Sequence, residues 1–171
     1  HGVFNWLATT NGLQRQDRHK FKTCKHPANN PATQPTDNIS SVYKDAHDNM
    51  WVTTGDNKVG IFNTEKFIYN EIPIKAKINS TIYTVKRFFE TKAGKLMLFM
   101  VVHGLYVLDS ATHAFIPAND AIPVPEGWKW NDIKEDSTRN RFWIACDSGL
   151  AVFNPSNKHL SYRGHNIHND P

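Results

Sequence analysis

The stretch WVTTGDNKVGIF, residues 51–62, decides the fold of this chain, because varied copies of it occur three more times. The copies are WLATTNGL from Trp6, LFMVVHGLYVL from Leu98 and WIACDSGLAVF from Trp143. The four copies begin at residues 6, 51, 98 and 143, so they lie 45, 47 and 45 residues apart. A repeat period of roughly 40–50 residues is typical of four-stranded β-propeller blades. The sequence therefore predicts an all-β chain built from propeller blades.

The repeat around Trp51 has the strand and turn content of one blade. Short segments rich in β-branched and aromatic residues predict strands over 39–45, 50–54, 59–63 and 67–71. The turn-forming sequences AHDN and GDNK separate the first three of them. Four short strands without helical periodicity between them indicate one antiparallel, four-stranded blade.

The other copies predict further blades in register. Strands are expected over 82–90, 96–101, 105–109 and 115–116 in the third repeat, and over 133–136, 142–146, 150–154 and 160–162 in the fourth. Gly12, Gly104 and Gly149 occupy one hairpin turn where a positive φ is favourable, and a longer turn displaces Gly60 from that position. The predicted organisation is a partial blade at 1–26 and blades at 38–73, 80–117 and 130–163, about 3.75 repeats. Because closed propellers usually need four to eight blades, we expect a fragment of a larger propeller, or a half that closes against a second copy.

Recurring side chains have structural explanations within a blade. Trp6, Trp51 and Trp143 share one position, where packing between adjacent blades is expected. Asp45 and Asp136 end first strands, and a carboxylate there is expected to accept hydrogen bonds from turn N–H groups. Cys24 and Cys146 lie at unlike places in their repeats, which favours two free thiols over a disulfide or a metal pair.

Composition excludes several classes of function. The formal net charge is +4, and no run of Lys or Arg is longer than two residues, so no nucleic-acid partner is expected for this segment. No stretch approaches the ~20 apolar residues of a membrane span. The densest group of metal-ligand side chains is His165, His168 and Asp170, and no histidine shows structural-zinc spacing with a cysteine. We expect no metal and no cofactor.

The repeat resembles the two-component regulator propeller repeat found in large sensory proteins of Bacteroidetes. Asn38, Ile39, Val42 and Asp45 match the first part of that family's pattern, and the segment MWVTT from Met50 matches the second. The segment NGL at residues 11–13, with Arg15 and Asp17, matches the third. The third repeat departs most, since Met97 and Leu98 stand where the family has tryptophan.

The resemblance implies a periplasmic sensor segment of a hybrid two-component regulator. In similar proteins, two seven-bladed propellers precede a β-sandwich, a membrane span and a cytoplasmic histidine kinase. Their usual signals are oligosaccharides. The kinase module is absent from these residues, so the resemblance implies a non-enzymatic segment of a membrane-spanning parent, with the other blades or a second copy as protein partners.

Strand order predicts which residues reach a ligand. The turns between second and third strands and the loops between blades lie at one end of the blades, which in many propellers carries the ligand. Aromatic rings combined with amide, carboxylate and basic groups suit carbohydrate binding, and the segment PEGWKWND, residues 125–132, supplies both. The candidate ligand-binding residues are Asn11, Asn38, Asp56, Asn57, Lys58, His103, Trp128, Trp130, Asn131 and Asp147. For Trp128 and Trp130 the alternative is a hydrophobic lid over the blade junction.

Two other functions stay open at this point. Some propellers are lyases or hydrolases, although no Ser/His/Asp, Cys/His or paired-carboxylate set stands out here. The third possibility is a non-catalytic protein–protein interaction scaffold.

Overall fold

A computed structural model describes residues 4–17, 20–25, 36–75, 84–118 and 121–164. Within these ranges the secondary structure is fifteen β-strands. The strands are β1 Asn5–Thr9, β2 Gly12–Asp17, β3 Lys20–Cys24, β4 Ile39–Lys44, β5 Met50–Thr54, β6 Val59–Asn63, β7 Ile68–Glu71, β8 Thr84–Glu90, β9 Leu96–Val101, β10 Gly104–Asp109, β11 Ala114–Pro117, β12 Trp130–Asp136, β13 Arg141–Cys146, β14 Gly149–Asn154 and β15 His159–Tyr162. The described part of the chain contains no helix with the length and hydropathy needed to cross a lipid bilayer.

The strands form four antiparallel meanders, which confirms the predicted all-β blade architecture. The first sheet has three strands in the order β1-β2-β3, and the second has the order β4-β5-β6-β7. The third and fourth sheets have the orders β11-β10-β9-β8 and β12-β13-β14-β15. Each four-stranded sheet carries an irregularity near the start of its first strand, at Ile39/Ser41, Val85/Arg87 and Trp130/Asp132. A β-bulge of this kind increases the local twist of a strand.

The chain divides into two compact units, each with a hydrophobic core of its own. The first unit comprises His1–Lys75 and Asp109–Phe115, and the second comprises Ala76–Leu108 and Ile116–Pro171. The segment 109–115 joins the first unit through a parallel bridge between Ile74 and Phe115. The core of the first unit includes Leu13, Ile39, Met50, Val52, Phe62 and Tyr69. The core of the second unit includes Met97, Phe99, Leu105, Ile122, Trp130, Ile133, Phe142, Ile144, Ala151 and Phe153.

The three tryptophans at the predicted repeat position have different surroundings. Trp6 packs edge-on against Phe62 of the neighbouring sheet, with 5.9 Å between ring centroids. Trp51 is fully buried and contacts Phe115 at 5.6 Å. Trp143 differs, because its ring is half-buried and the guanidinium of Arg141 lies 5.6 Å from its centroid. Inter-blade packing is thus confirmed for the first two.

Asp45 has the turn-capping role that its position predicts. Its Oδ1 accepts hydrogen bonds from the backbone N–H groups of His47 and Asn49, and its Oδ2 accepts from the Asn49 amide and the Trp51 indole. In the fourth sheet, Oδ1 of Asp136 accepts from the N–H of Arg139. One carboxylate therefore ties the β4–β5 turn to the blade interior.

The turns between third and fourth strands share a left-handed residue that the sequence does not reveal. Phe67, His113 and Lys158 have φ values of 57°, 47° and 55°. Four residues before each, a side-chain oxygen of Asn63, Asp109 or Asn154 accepts turn N–H groups. The strand predicted from residue 67 therefore begins at Ile68, because Phe67 belongs to this turn.

Glycine is required at residue 60 for a different reason than at the hairpin turns. Gly12, Gly104 and Gly149 have φ values of 115°, 79° and 144°, which confirms the predicted positive φ. Gly60 lies inside β6, where a Cβ atom would stand 2.3 Å from the carbonyl oxygen of Asn70 and 2.5 Å from Cζ of Tyr69. Close approach of β7, rather than a turn, requires glycine at residue 60.

Val102 is a strained position whose replacement should stabilise the chain. It lies in the β9–β10 turn with a φ of 71°, and its side chain is 49% exposed. A left-handed conformation costs an L-residue roughly 1–2 kcal/mol, most for β-branched side chains, whereas asparagine tolerates it. We expect Val102→Asn to raise the free energy of unfolding in urea by about 1 kcal/mol. The matched control, Val101→Asn in β9, should lower it, and a loss of stability in V102N would contradict the assigned strain.

Candidate functional site

The predicted ligand residues fall into two groups, one in each compact unit. Asn11, Asn38, Asp56, Asn57 and Lys58 lie in the first unit. His103, Trp128, Trp130, Asn131 and Asp147 lie in the second. Within each unit, these residues lie at the end of the sheets that carries the turns between second and third strands.

In the first unit, the β5–β6 turn is organised around Thr54. The Thr54 hydroxyl donates to Oδ1 of Asp56 at 2.5 Å and accepts the N–H of Lys58 at 3.0 Å. The Lys58 ammonium pairs with Glu71 at 3.5 Å. The neighbouring Asn38 carbonyl accepts the N–H of Gly55 at 2.8 Å. Turn structure thus uses several of the polar groups that were predicted to face a ligand.

Asn11 and Asn57 occupy turns in the same unit. Asn11 is exposed in the β1–β2 turn, and its N–H donates to Oγ1 of Thr9 at 3.2 Å. Asn57 has a φ of 63°, and its N–H donates to the Thr54 carbonyl at 3.0 Å. Asparagine favours such turn positions because it tolerates the left-handed conformation.

In the second unit, the segment before β12 is held against both adjoining hairpin turns. The N–H of Val102 donates to the Trp130 carbonyl at 2.8 Å. The N–H of Asp147 donates to the Lys129 carbonyl at 3.0 Å, and the N–H of Lys129 donates back to Oδ1 of Asp147 at 3.0 Å. Asp147 therefore brings the predicted aromatic segment beside the β13–β14 turn.

The charge of Asp147 is favoured by the groups that surround it. The backbone N–H of Lys129 and the hydroxyl of Ser148 both donate to its Oδ1 and lower the pKa of this carboxyl. The backbone N–H of Ser148 also donates to this carboxylate. Asp147 is exposed and presents a hydrogen-bond acceptor at the surface.

The two predicted tryptophans differ in how much of their surface a ligand can reach. Trp130 is 6% exposed and lies in the core, with its ring centroid 6.5 Å from that of Phe99. Trp128 is half-buried and packs edge-on against Tyr162 at 5.1 Å. Trp130 is therefore part of the hydrophobic core, and Trp128 packs against that core. Of these two rings, Trp128 is the one that leaves aromatic surface accessible to a ligand.

The remaining polar candidates of the second unit flank this segment. Asn131 is exposed on β12, and His103 is half-buried in the β9–β10 turn beside Val102. The hydrogen bonds between Lys129 and Asp147 bring Trp128 close to Asp147, and Asn131 follows two residues after Lys129 on β12.

A cavity at other turns was not anticipated from the sequence. It has a volume of about 510 Å³ and lies within the second unit. Its walls are formed by Phe89, Met97, Leu105, Ile122, Phe142 and Phe153, and its polar lining comes from Thr91, Lys92, Lys95, Glu135, Asn140 and Ser156. These residues come from separate strands and turns, so no local motif marks the cavity.

The metal-ligand side chains singled out in the sequence are only partly within the structure. His165, His168 and Asp170 lie outside the described residues. Among the residues that are described, no three His, Cys, Asp or Glu side chains form a group able to hold a metal ion. Cys24 and Cys146 are free thiols, and burial raises the pKa of both.

No protein-family model matches the chain, and no curated protein resembles it in sequence. Solved structures do resemble it. The extracellular domain of BT3049, assigned to a hybrid two-component system of B. thetaiotaomicron, matches with a TM-score of 0.67 and 18% identity over 94% of this chain. The extracellular domain of BT4673 from B. thetaiotaomicron, described as part of a hybrid two-component system, matches with a TM-score of 0.66 and 18% identity over 96% of this chain. YCF48 bound to a D1 peptide matches with a TM-score of 0.58 and 8% identity over 92% of this chain and 48% of that protein.

The chain spans 22% of the BT3049 domain and 24% of the BT4673 domain. Both of these neighbours are described as extracellular domains of hybrid two-component systems. At these identities the similarity concerns the fold. The chain has a β-propeller fold similar to that of these extracellular domains.

Proposed function

We propose that this chain is a ligand-sensing propeller segment from the extracytoplasmic part of a two-component regulator, and that its ligand is an oligosaccharide. The observation that carries the proposal is the match of 94–96% of the chain to the extracellular domains of two such systems. In the proposed setting the segment lies in the periplasm, and the regulator that contains it spans the inner membrane.

The surface of the second unit supplies suitable chemistry for a sugar. Oligosaccharides bind to aromatic faces and edges flanked by amide, carboxylate and hydroxyl groups. The groups proposed to contact the sugar are the half-buried ring of Trp128, the exposed Asn131, the Asp147 carboxylate and the Ser148 hydroxyl. The two hydrogen bonds between Asp147 and Lys129, one of them to the Asp147 side chain, hold the segment in place before binding, and such preorganisation reduces the entropic cost of association.

The proposal is tested by measuring sugar binding to the complete regulator and its response in cells. A panel of defined oligosaccharides is titrated calorimetrically, and a transcriptional reporter records signalling. We expect at least one sugar to bind and to activate the reporter. Asn131→Ala should weaken that binding roughly tenfold, because one to two hydrogen bonds are lost. The control Asn140→Ala, at a turn at the other end of these sheets, should bind normally. Absence of both binding and response across the panel would contradict the proposal.

The alternative function is that of a propeller enzyme, and the same panel of oligosaccharides tests it. Chromatography of the sugars after incubation detects cleavage or elimination products. Turnover that is lost in His103→Ala or Asp147→Ala would replace the sensing function by a lyase or hydrolase activity.

The protein partners are also part of the proposal. Apolar side chains are exposed on β1 and β14, with Leu7 40% and Leu150 54% exposed. Further blades of the parent, or a second copy of this chain, are the proposed partners for these surfaces. Sedimentation of the isolated chain distinguishes the two, since only the second copy produces a concentration-dependent dimer.

A further inference from the structure

We propose that the cavity in the second unit binds an amphipathic carboxylate, a molecule with an apolar body and one anionic group. This site is separate from the surface around Trp128, and it does not depend on the sensing of oligosaccharides. Its volume of about 510 Å³ lies in the range of small-molecule sites, roughly 300–1,000 Å³.

The cavity walls select an apolar ligand body. Met97, Leu105, Phe142 and Phe153 are each less than 9% exposed to solvent and contribute only aliphatic, thioether or aromatic surface. A sugar buried against such walls would lose hydrogen bonds to water without replacing them, which costs several kcal/mol per unpaired group, on the order of 2–7. An alkyl chain or an aromatic ring gains roughly 25 cal/mol for each Å² that it buries.

The polar end of the cavity favours a negative charge. The charged residues that line it are Lys92, Lys95 and Glu135. Neither lysine forms an ion pair with any residue that the structure describes, whereas Glu135 accepts the backbone N–H of Lys92 at 3.2 Å. Two ammonium groups against one carboxylate leave a net positive charge. A carboxylate on the ligand complements this charge, and the exposed lysines can reach it at the cost of little desolvation.

Hydrogen bonds fix this polar end before any ligand enters. The β8–β9 turn is closed by bonds from the Thr91 N–H to the Lys95 carbonyl at 3.0 Å and from the Gly94 N–H to the Thr91 carbonyl at 2.8 Å. In the same cavity lining, the amide of Asn140 donates to the Ser156 hydroxyl at 2.6 Å. A polar end held in this way presents both lysines on one rigid turn.

Decanoate and its neutral counterpart 1-decanol test the site on the 171-residue chain by calorimetric titration. We expect decanoate to bind at one site per chain and decanol to bind more weakly. The charge-reversed variant Lys92→Glu/Lys95→Glu should weaken decanoate about tenfold, as expected for two exposed ionic contacts, and leave decanol within about twofold.

The second part of the test fills the cavity with a larger side chain. Ala121→Trp and, separately, Ala93→Trp replace exposed lining residues, so each variant is expected to fold and to lose binding of both compounds. Circular dichroism verifies folding, and having two filling variants protects the test against failure of one. Failure of decanoate to bind the wild-type chain would overturn the proposal, as would unchanged binding in a folded filling variant. Equal losses for decanoate and decanol in the charge-reversed variant would overturn the assigned role of the lysines.

Discussion

Replacing Asp45 by alanine is expected to lower the free energy of unfolding by about 3 kcal/mol. This side chain is 7% exposed and accepts four hydrogen bonds, including one from the buried indole of Trp51 at 2.8 Å. Alanine leaves those donors without the acceptor around which the β4–β5 turn is built. Urea denaturation at pH 7 followed by circular dichroism measures the loss.

The loss of stability caused by Asp45→Ala should depend on pH. Burial alone raises the pKa of Asp45, but the hydrogen bonds from Trp51, Asn49 and His47 outweigh it, so the pKa lies below the usual 3.8. Folding therefore favours the charged form, and the resulting stability is complete above the unfolded pKa and lost as the pH falls through the folded pKa. The difference in stability between wild type and Asp45→Ala should be constant from pH 7 to 5 and shrink below about pH 4.

A double-mutant cycle measures the hydrogen bond from the Trp51 indole to Asp45 separately from the bonds that Asp45 accepts within the turn. Trp51→Phe removes the N–H donor and keeps most of the buried ring, and the coupling energy between Asp45 and Trp51 should be about 1–2 kcal/mol. Additive effects of the two substitutions would contradict the assigned bond.

Replacing Gly60 by valine should cost about 3 kcal/mol or more. Its Cβ would lie 2.3 Å from the Asn70 carbonyl oxygen and 2.5 Å from the Tyr69 ring. Rotation of a side chain relieves only the second contact, because the first one involves backbone. Strand β7 would have to move away from β6 and lose ladder hydrogen bonds. The midpoint of thermal or urea unfolding measures this loss.

Two control variants test whether the loss of stability is specific to a side chain at residue 60. Gly94→Asn occupies open space at a φ of 73°, which asparagine tolerates, so it should change stability little. Tyr69→Phe keeps the ring and removes a buried hydroxyl that has no hydrogen-bond partner among the described residues, so it should be neutral or stabilising. A Gly60→Val variant as stable as Gly94→Asn would show that β7 accommodates the side chain.

The strands were predictable because local sequence and the repeat period agree. In the second blade, β5 and β6 have the predicted bounds, 50–54 and 59–63. Asp45 was also interpreted correctly, because an acidic residue at the end of a strand and before a turn has a local role. What was missed is mostly conformational: Phe67 and Lys158 adopt a left-handed conformation although neither side chain favours it.

The candidate site was less accessible to sequence reasoning. Strand order places Trp128 and Trp130 near one turn, but the alternation of a strand that starts at residue 130 decides that Trp130 faces the core. The cavity depends on side chains from β8, β9, β10, β12, β13 and β14 meeting in three dimensions, and a single sequence does not contain that information. Ligand binding by the ten predicted residues stays a prediction.

The separation of the two cores bears on how the chain folds as it emerges from the ribosome. The core cluster of the first unit that contains Leu13 and Tyr69 lies wholly between these two residues, so it needs no residue from the second half of the chain, whereas buried Trp51 packs against Phe115, which is synthesised later. Domains generally fold as units during synthesis, with the N-terminal one first. The early blades can thus acquire native packing while the later ones are still being translated, and only Asp109–Phe115 has to be added afterwards. Strands of the early blades are thereby paired before the similar strands of the later blades have been made, which limits mispairing between neighbouring repeats.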